Sequence, residues 1–201
     1  MAVSLSKGNS VSLTKASNEN PNTPQDGAGN PQPLTAVYLG LGWEPRTTTG
    51  TDFDLDASAV VKKASSPSEL VFFNQLTGVG GNIEHTGDNL TGEGQGDDEQ
   101  IKVNLAALPA DVTEIEFPVN IYDAENRGGQ NFGQVRNAFV RVVNQNGDVE
   151  IARYDLSEDA ATAAAMVFGK LVRNGSDWDF VAVGTPIPDY SQYLKGAGVN
   201  V

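Results

Sequence analysis

Gly87-Asp88-Asn89-Leu90-Thr91-Gly92-Glu93-Gly94-Gln95-Gly96-Asp97-Asp98-Glu99-Gln100 carries five carboxylates and four glycines, with Leu90 as its one large apolar residue. Such a segment cannot pack as an element of its own. Glycine admits backbone conformations closed to other residues and lets carbonyls approach a ligand. Carboxylates crowded on a bending loop repel one another unless a cation lies between them. A hard cation such as Ca2+ takes about six to eight oxygens from carboxylates, amides, backbone carbonyls and water. The ordinary fate of an acidic run is a solvated loop. A second acidic cluster upstream argues against that here.

That cluster is Asp52-Phe53-Asp54-Leu55-Asp56. In an extended strand, successive side chains point to opposite faces. Asp52, Asp54 and Asp56 then share one face, and Phe53 and Leu55 the other. Like charges along one face destabilise a strand on its own. An apolar face anchored in a core would hold the acids in place. Together the clusters supply eight carboxylates. Two Ca2+ ions would offset four of those charges and need about 12 to 16 oxygens. Neither cluster is an EF-hand, because Leu90 and Ala57 fall where that loop wants an acid and a glycine. The ions are therefore expected between loops of a β fold.

The expected ligands follow from this division. Asp54 and Asp56, held by a strand, form the rigid half. Asp88, Asn89, Asp97, Asp98 and Glu99 form the mobile half, with carbonyls near Gly92 and Gly94 completing coordination. Asp52, Glu93 and Asp123 are reserve candidates. Glu125 is expected to be solvated. His85 is expected to brace the loop by a hydrogen bond, since calcium prefers oxygen ligands.

Outward from these clusters the chain reads as short strands and turns. Thr35 to Gly42, Phe53 to Val61, Leu70 to Phe73 and Gln100 to Leu105 read as strands, and Asn82 to Thr86 leads into the acidic loop. Ile115, Phe117, Val119 and Ile121 alternate with polar residues, as in a half-buried strand. Pro118 predicts a sheet edge or a bulge there. Val135–Val143 and Val149–Tyr154 form a hairpin about Asn146-Gly147. Met166–Arg173 and Trp178–Gly184 form another about Asn174-Gly175. Leu156 to Ala164 reads as a short helix, opened by Ser157 and two acids that suit a helix N-terminus. Asp189 to Lys195 reads as a second. Val3, Leu5, Val11 and Leu13 suggest two short strands around a turn at Gly8-Asn9. Residues 16–33, rich in Asn and Pro, lack the apolar surface to order themselves and read as an exposed loop. Regularly spaced short strands predict a mainly β, single-domain antiparallel sandwich over residues 1–201, with one or two short helices near the C-terminus.

Composition narrows the function. The 201 residues carry a formal net charge of -13, which disfavours nucleic acid or anionic membrane as a direct partner. It equally disfavours direct capture of an oxyanion. With no cysteine there is no thiol redox chemistry or thiolate metal site, and one histidine excludes a multi-histidine zinc site. No apolar run could span a bilayer, and the N-terminus lacks a signal-peptide core, so a cytoplasmic location is expected. The acidic Gly-rich loop is no phosphate cradle, which wants a lysine and bare amides. A carboxylate-only two-metal hydrolase and a purely structural calcium-stapled module are the alternatives to a non-enzymatic calcium-binding protein.

Gly40-Leu41-Gly42-Trp43, Phe53 to Ser58, His85 to Gly94 and Gly96-Asp97-Asp98-Glu99 resemble the TerD family of bacterial tellurium-resistance and stress proteins. Asn131 to Val135, Ala152 to Leu156 and Trp178 to Gly184 agree with it. The likeness covers nearly the whole chain. It implies a β-sandwich binding two calcium ions in acidic loops at one end, a role in stress response, and other stress-response proteins as partners. Glu44 stands where the family more often has Asp.

Overall fold

The computed structural model describes residues 3–4, 8–13, 28–30, 32–156 and 160–200. Along these the chain forms β1 (Val3–Ser4), β2 (Ser10–Ser12), β3 (Val37–Gly42), β4 (Leu55–Ala57), β5 (Ala59–Lys63), β6 (Glu69–Val71), β7 (Thr77–Gly78), β8 (Ile83–His85), β9 (Glu99–Val103), β10 (Val112–Ile121), β11 (Phe139–Asn144), β12 (Val149–Asp155), β13 (Ala165–Asn174), β14 (Asp177–Pro186) and the helix α1 (Tyr190–Gly196).

Two sheets form a sandwich. The first runs β1-β12-β11-β3-β9-β8-β7, and the second runs β2-β14-β13-β10-β5-β6 with β4 also on β10. All pairings are antiparallel except β1 with β12. One core cluster lies between the sheets. Leu39, Leu41, Ile101, Val103, Val140 and Val142 come from the first sheet. Ile115, Phe117, Val119, Met166, Phe168 and Phe180 come from the second. The period-two alternation of β10 therefore has the origin expected: its apolar residues are buried and Glu114, Glu116 and Asn120 are half-exposed.

Of the two alternatives expected at Pro118, the structure shows the bulge: β10 is a central strand rather than an edge, and its register slips there against β13. Two other expectations need correction. Phe72 and Phe73 are only partly buried, because the strand stops at Val71 and turns back through a Phe72–Gln75 bridge. Ala160 to Ala164 form a turn rather than a helix, and β13 begins directly after. Tertiary pairing there overrides the helix propensity of alanine. At the start of that expected helix Leu156 is helical, and Ser157 to Asp159 lie outside the described residues, as do residues 16–27 and Pro31 of the expected loop. The flanking residues 28–30 and 32–33 are exposed.

The two short N-terminal strands do not pair with each other. β1 joins the edge of the first sheet and β2 the edge of the second. The C-terminal helix forms as expected, with the Asp189 side chain accepting from the Gln192 N–H as its cap. Its Leu194, together with Val199, packs on Val60 across the outer face of the second sheet.

Strand directions put both acidic clusters at one end of the sandwich. β3 ends there at Gly42, β8 at His85 and β10 at Ile121, while β4, β9 and β13 begin there. The Asn174-Gly175 hairpin lies at the opposite end, beside Val112.

Candidate metal centre

Asp54 and Asp56 flank Leu55, whose side chain is fully buried in the core. Their carboxylates turn to the other side of the strand. Asp88, from the loop between β8 and β9, meets them there. One carboxylate oxygen from each of Asp54, Asp56 and Asp88 lies within 4.8 Å of the others. Asp54 and Asp56 are each 4 % exposed, whereas Asp88 is open to solvent. The three line a cleft of about 470 Å3, whose other walls include Asp52, Phe73, Leu90, Tyr122 and Arg127.

Hydrogen bonds fix the buried acids while leaving acceptor capacity free. Asn120 Nδ2 donates to Asp56 Oδ2 at 3.0 Å. Arg127 Nη1 lies 3.2 Å from Asp54 Oδ2, while Asp54 Oδ1 is buried with no hydrogen-bond partner among the described residues. Backbone contact joins the same parts: the Tyr122 N–H donates to the Asp54 carbonyl at 2.8 Å.

Glu99 forms the inner wall. Although it lies on the first sheet, it accepts from the Ala57 N–H of β4 at 2.8 Å, so one side chain bridges the sheets. The Asn89 N–H donates to its other oxygen at 3.4 Å. His85 Nε2 approaches Glu99 to 3.3 Å without completing a hydrogen bond, and the Gly87 N–H donates to His85 Nδ1 at 3.2 Å. The lone imidazole thus braces the acidic loop from beneath.

The electrostatics are those of charges crowded out of water. Burial is the main influence that pushes the Asp56 carboxyl up to about 8, with the Glu99 and Asp54 carboxylates adding to it. Burial also raises Asp54, against the opposing pull of Arg127, and raises Glu99, against His85 and the Ala57 N–H. A divalent cation in the cleft would relieve this mutual repulsion. The donors present are all oxygen, which suits a hard cation such as Ca2+.

The remaining acidic-loop residues go elsewhere. Asp97 turns onto the outer face of the first sheet and meets Arg141 with both oxygens, at 2.7 and 2.9 Å. Asp98 Oδ2 accepts from the Trp43 N–H at 2.9 Å, and its Oδ1 accepts from Asn89 Nδ2 at 3.1 Å. Burial is again the leading cause of a raised Asp98 carboxyl. Asn89 Oδ1 accepts from the Thr91 and Gly92 N–H groups, closing the loop on itself. Gly92, in the left-handed region at φ 71°, lies under the Trp43 indole, where any Cβ would collide. Glu93, Gly94 and Gln95 are exposed. A second cleft of about 350 Å3 is lined by Asp98, Glu44 and Asp155 with Gly94 and Gly96. Asp123, at φ 49°, holds Asn126 at 2.6 Å in its own turn, apart from the acidic triad.

Sequence reading missed Asn120, Arg127 and Arg141. Asn120 sits in the polar half of an alternating strand, the one local hint of its role. The two arginines meet their acids only through the fold.

Residues 1–194 match the TerD domain. The chain is 49 % identical over 188 residues to the tellurium resistance protein TerD of Serratia marcescens, covering 92 % of this chain and 90 % of that protein. It is 46 % identical over 190 residues to general stress protein 16U of Bacillus subtilis, covering 92 % and 91 %. The crystal structure of a Streptomyces coelicolor homologue of the telluride resistance protein TerD superposes with a TM-score of 0.68 at 23 % identity, over 83 % of this chain and 99 % of that one. That likeness bears on the fold alone. With matches of this extent across the strands, the acidic triad and the loops around it, the chain belongs to the TerD family.

Proposed function

We propose that this chain is a calcium-binding stress-response protein of the tellurium-resistance type, holding about two Ca2+ at the acidic end of its sandwich. One observation carries the reading. The Asp54 carboxylate is almost fully buried, keeps Oδ1 unpartnered, and lies within shared-ligand distance of Asp56 and Asp88. An unsatisfied buried acceptor is costly, and a bound cation would satisfy it. Asp54, Asp56 and Asp88 would hold the first ion, with Glu99 closing its inner side. Asp98 and the carbonyls near Gly94 would serve the second. Bound there, calcium would supply positive charge and join the two sheets.

The role is binding rather than catalysis. Cysteine is absent from the sequence, and the lone imidazole, His85, is 1 % exposed and faces Glu99 rather than a substrate. The partners we assign are calcium and other stress-response proteins; the charge of -13 disfavours nucleic acid. No described helix is long and apolar enough to cross a membrane. The test is calorimetric titration of chelator-stripped protein with Ca2+ and Mg2+. Saturable calcium binding in strong preference to magnesium supports the reading; equal affinity or no heat from either ion refutes it.

A further inference from the structure

We propose that Arg127 is a tethered counter-cation that competes with the divalent ion for Asp54 and so sets the affinity of the site. The inference rests on the calcium reading above and adds a residue that tunes it.

The two oxygens of Asp54 have different neighbours. Oδ2 faces the Arg127 guanidinium at 3.2 Å, and Oδ1, buried, has no partner. An ion held by Oδ1 would lie about 2.4 Å from that oxygen. The guanidinium would then stand a few ångströms from a double positive charge, in a pocket partly closed to water. Like charges at that range repel strongly. Arg127 therefore neutralises Asp54 while no ion is bound and opposes an ion that arrives.

The guanidinium has a second partner that does not depend on Asp54. While it faces that carboxylate, its Cζ also lies 5.1 Å from the centroid of the Tyr122 ring at the rim of the cleft. A cation held over an aromatic face keeps part of its stabilisation without a carboxylate. The turn carrying Arg127 is fixed at its base. Tyr122 donates to the Asp54 carbonyl, Arg127 N–H donates to the Asp123 carbonyl at 3.0 Å, and Gly129 N–H donates to the Ala124 carbonyl at 2.9 Å. Displacement from Asp54 then needs only a rotation of the side chain that keeps the guanidinium over the Tyr122 ring, with the backbone unmoved. A monovalent ion, with half the charge, is the weaker rival for the same carboxylate, so the tether also favours divalent ions.

The experiment is calcium calorimetry on native protein, Arg127→Gln, Arg127→Met and Arg127→Lys at one ionic strength. The two neutral variants should bind calcium at least about tenfold more tightly than native. Arg127→Lys, which keeps the charge, should stay within about threefold of native. Arg127→Met retains an unbranched stem beside Tyr122 and guards against a folding defect in Arg127→Gln; melting in chelator checks both. In native protein, the Arg127 Nε resonance should shift on calcium addition. Neutral variants that bind equally or more weakly, or an unmoved resonance, overturn the proposal while native binding leaves the calcium reading standing. If neither native nor neutral variants bind, the calcium reading falls and this one with it. Binding by the neutral variants alone supports a competitor strong enough to block the native site.

Discussion

Asp97 and Arg141 meet over Gly40, where the carboxylate fills the space that a Cβ would take. The acid comes from the loop and the guanidinium from β11, so the pair clamps the loop to the outer face of the first sheet. The Asp97 side chain is 1 % exposed and that of Arg141 22 %. This explains the glycine in the Gly40-Leu41-Gly42-Trp43 segment: a side chain at position 40 would push the clamp off the sheet.

Replacing Asp97 by Ala should therefore cost about 3 kcal/mol of folding stability, the loss typical when one member of a buried ion pair is removed. Arg141→Met combined with it should recover part of that loss. Urea denaturation of the two single variants and the double variant measures both. Independent, additive losses would show that the two side chains do not act as a pair.

Stability should fall as pH rises through the titration of Asp56. Its folded carboxyl is pushed up to about 8, while an unfolded aspartate titrates near 4. Between those values the folded state holds a proton that the unfolded state has lost, so folding is favoured at the acidic end of the window. The loss grows through the window and levels off above it. Calcium reverses the sign, because a bound ion requires the carboxylate. Metal-free protein should thus lose stability from pH 5 to pH 8, and calcium binding at pH 7 should release protons. Titration calorimetry in buffers of different ionisation enthalpy counts them; zero release would remove Asp56 from the ligand set.

Chelation supplies a third test. A ligand that binds only the folded state stabilises it by about 2.7 kcal/mol at a hundredfold excess over Kd. For a chain of this length that is a shift in Tm of roughly 5 to 10 °C. The melting temperature in excess calcium should exceed that in chelator by this amount, with residues 87–98 gaining most protection from hydrogen exchange. Coincident melting curves would mean that the ion leaves the folded state unchanged.

The fourth prediction separates coordination from bulk charge. Asp56→Asn keeps volume and removes one ligand charge, and should weaken the stronger calcium site at least about tenfold. Asp179→Asn removes the same charge near the far hairpin, where Asn174 Nδ2 donates to the Asp179 carboxylate at 3.2 Å, and should change affinity less than twofold. Equilibrium dialysis should give about two ions per native chain. Equal weakening by both substitutions would reduce the acids to a diffuse field.

The fold was legible wherever the pattern was local. Alternation from Ile115 to Ile121 and the turns at Asn146-Gly147 and Asn174-Gly175 placed their strands, and Asp189 placed the last helix. The Phe53 and Leu55 alternation also placed Asp54 and Asp56 on one face. What sequence could not reveal was pairing at a distance. Nothing near Asp97 announces Arg141, 44 positions away, and adjacent Asp97 and Asp98 read as equals until one turns outward and the other toward Trp43. The run of alanines before β13 misled for the same reason. Its local preference is helical, but the Gly133 and Phe132 N–H groups take its carbonyls at 2.9 Å and hold it as a turn.

Trp43 has a consequence of a different kind. Its indole lies on Gly92, its Nε1 donates to the Phe53 carbonyl at 3.1 Å, and its N–H holds Asp98. It therefore touches both acidic segments at once. The protein's other indole, Trp178, lies at the far end, pairs with Arg173 in the last hairpin and has that guanidinium 4.5 Å from its ring. The molecule thus carries two indole fluorophores, one beside the acidic loops and one remote from them. In unlabelled protein, Trp43 emission reports the state of those loops against a steady Trp178 background, and Trp178→Phe would leave a single-wavelength gauge of the acidic end.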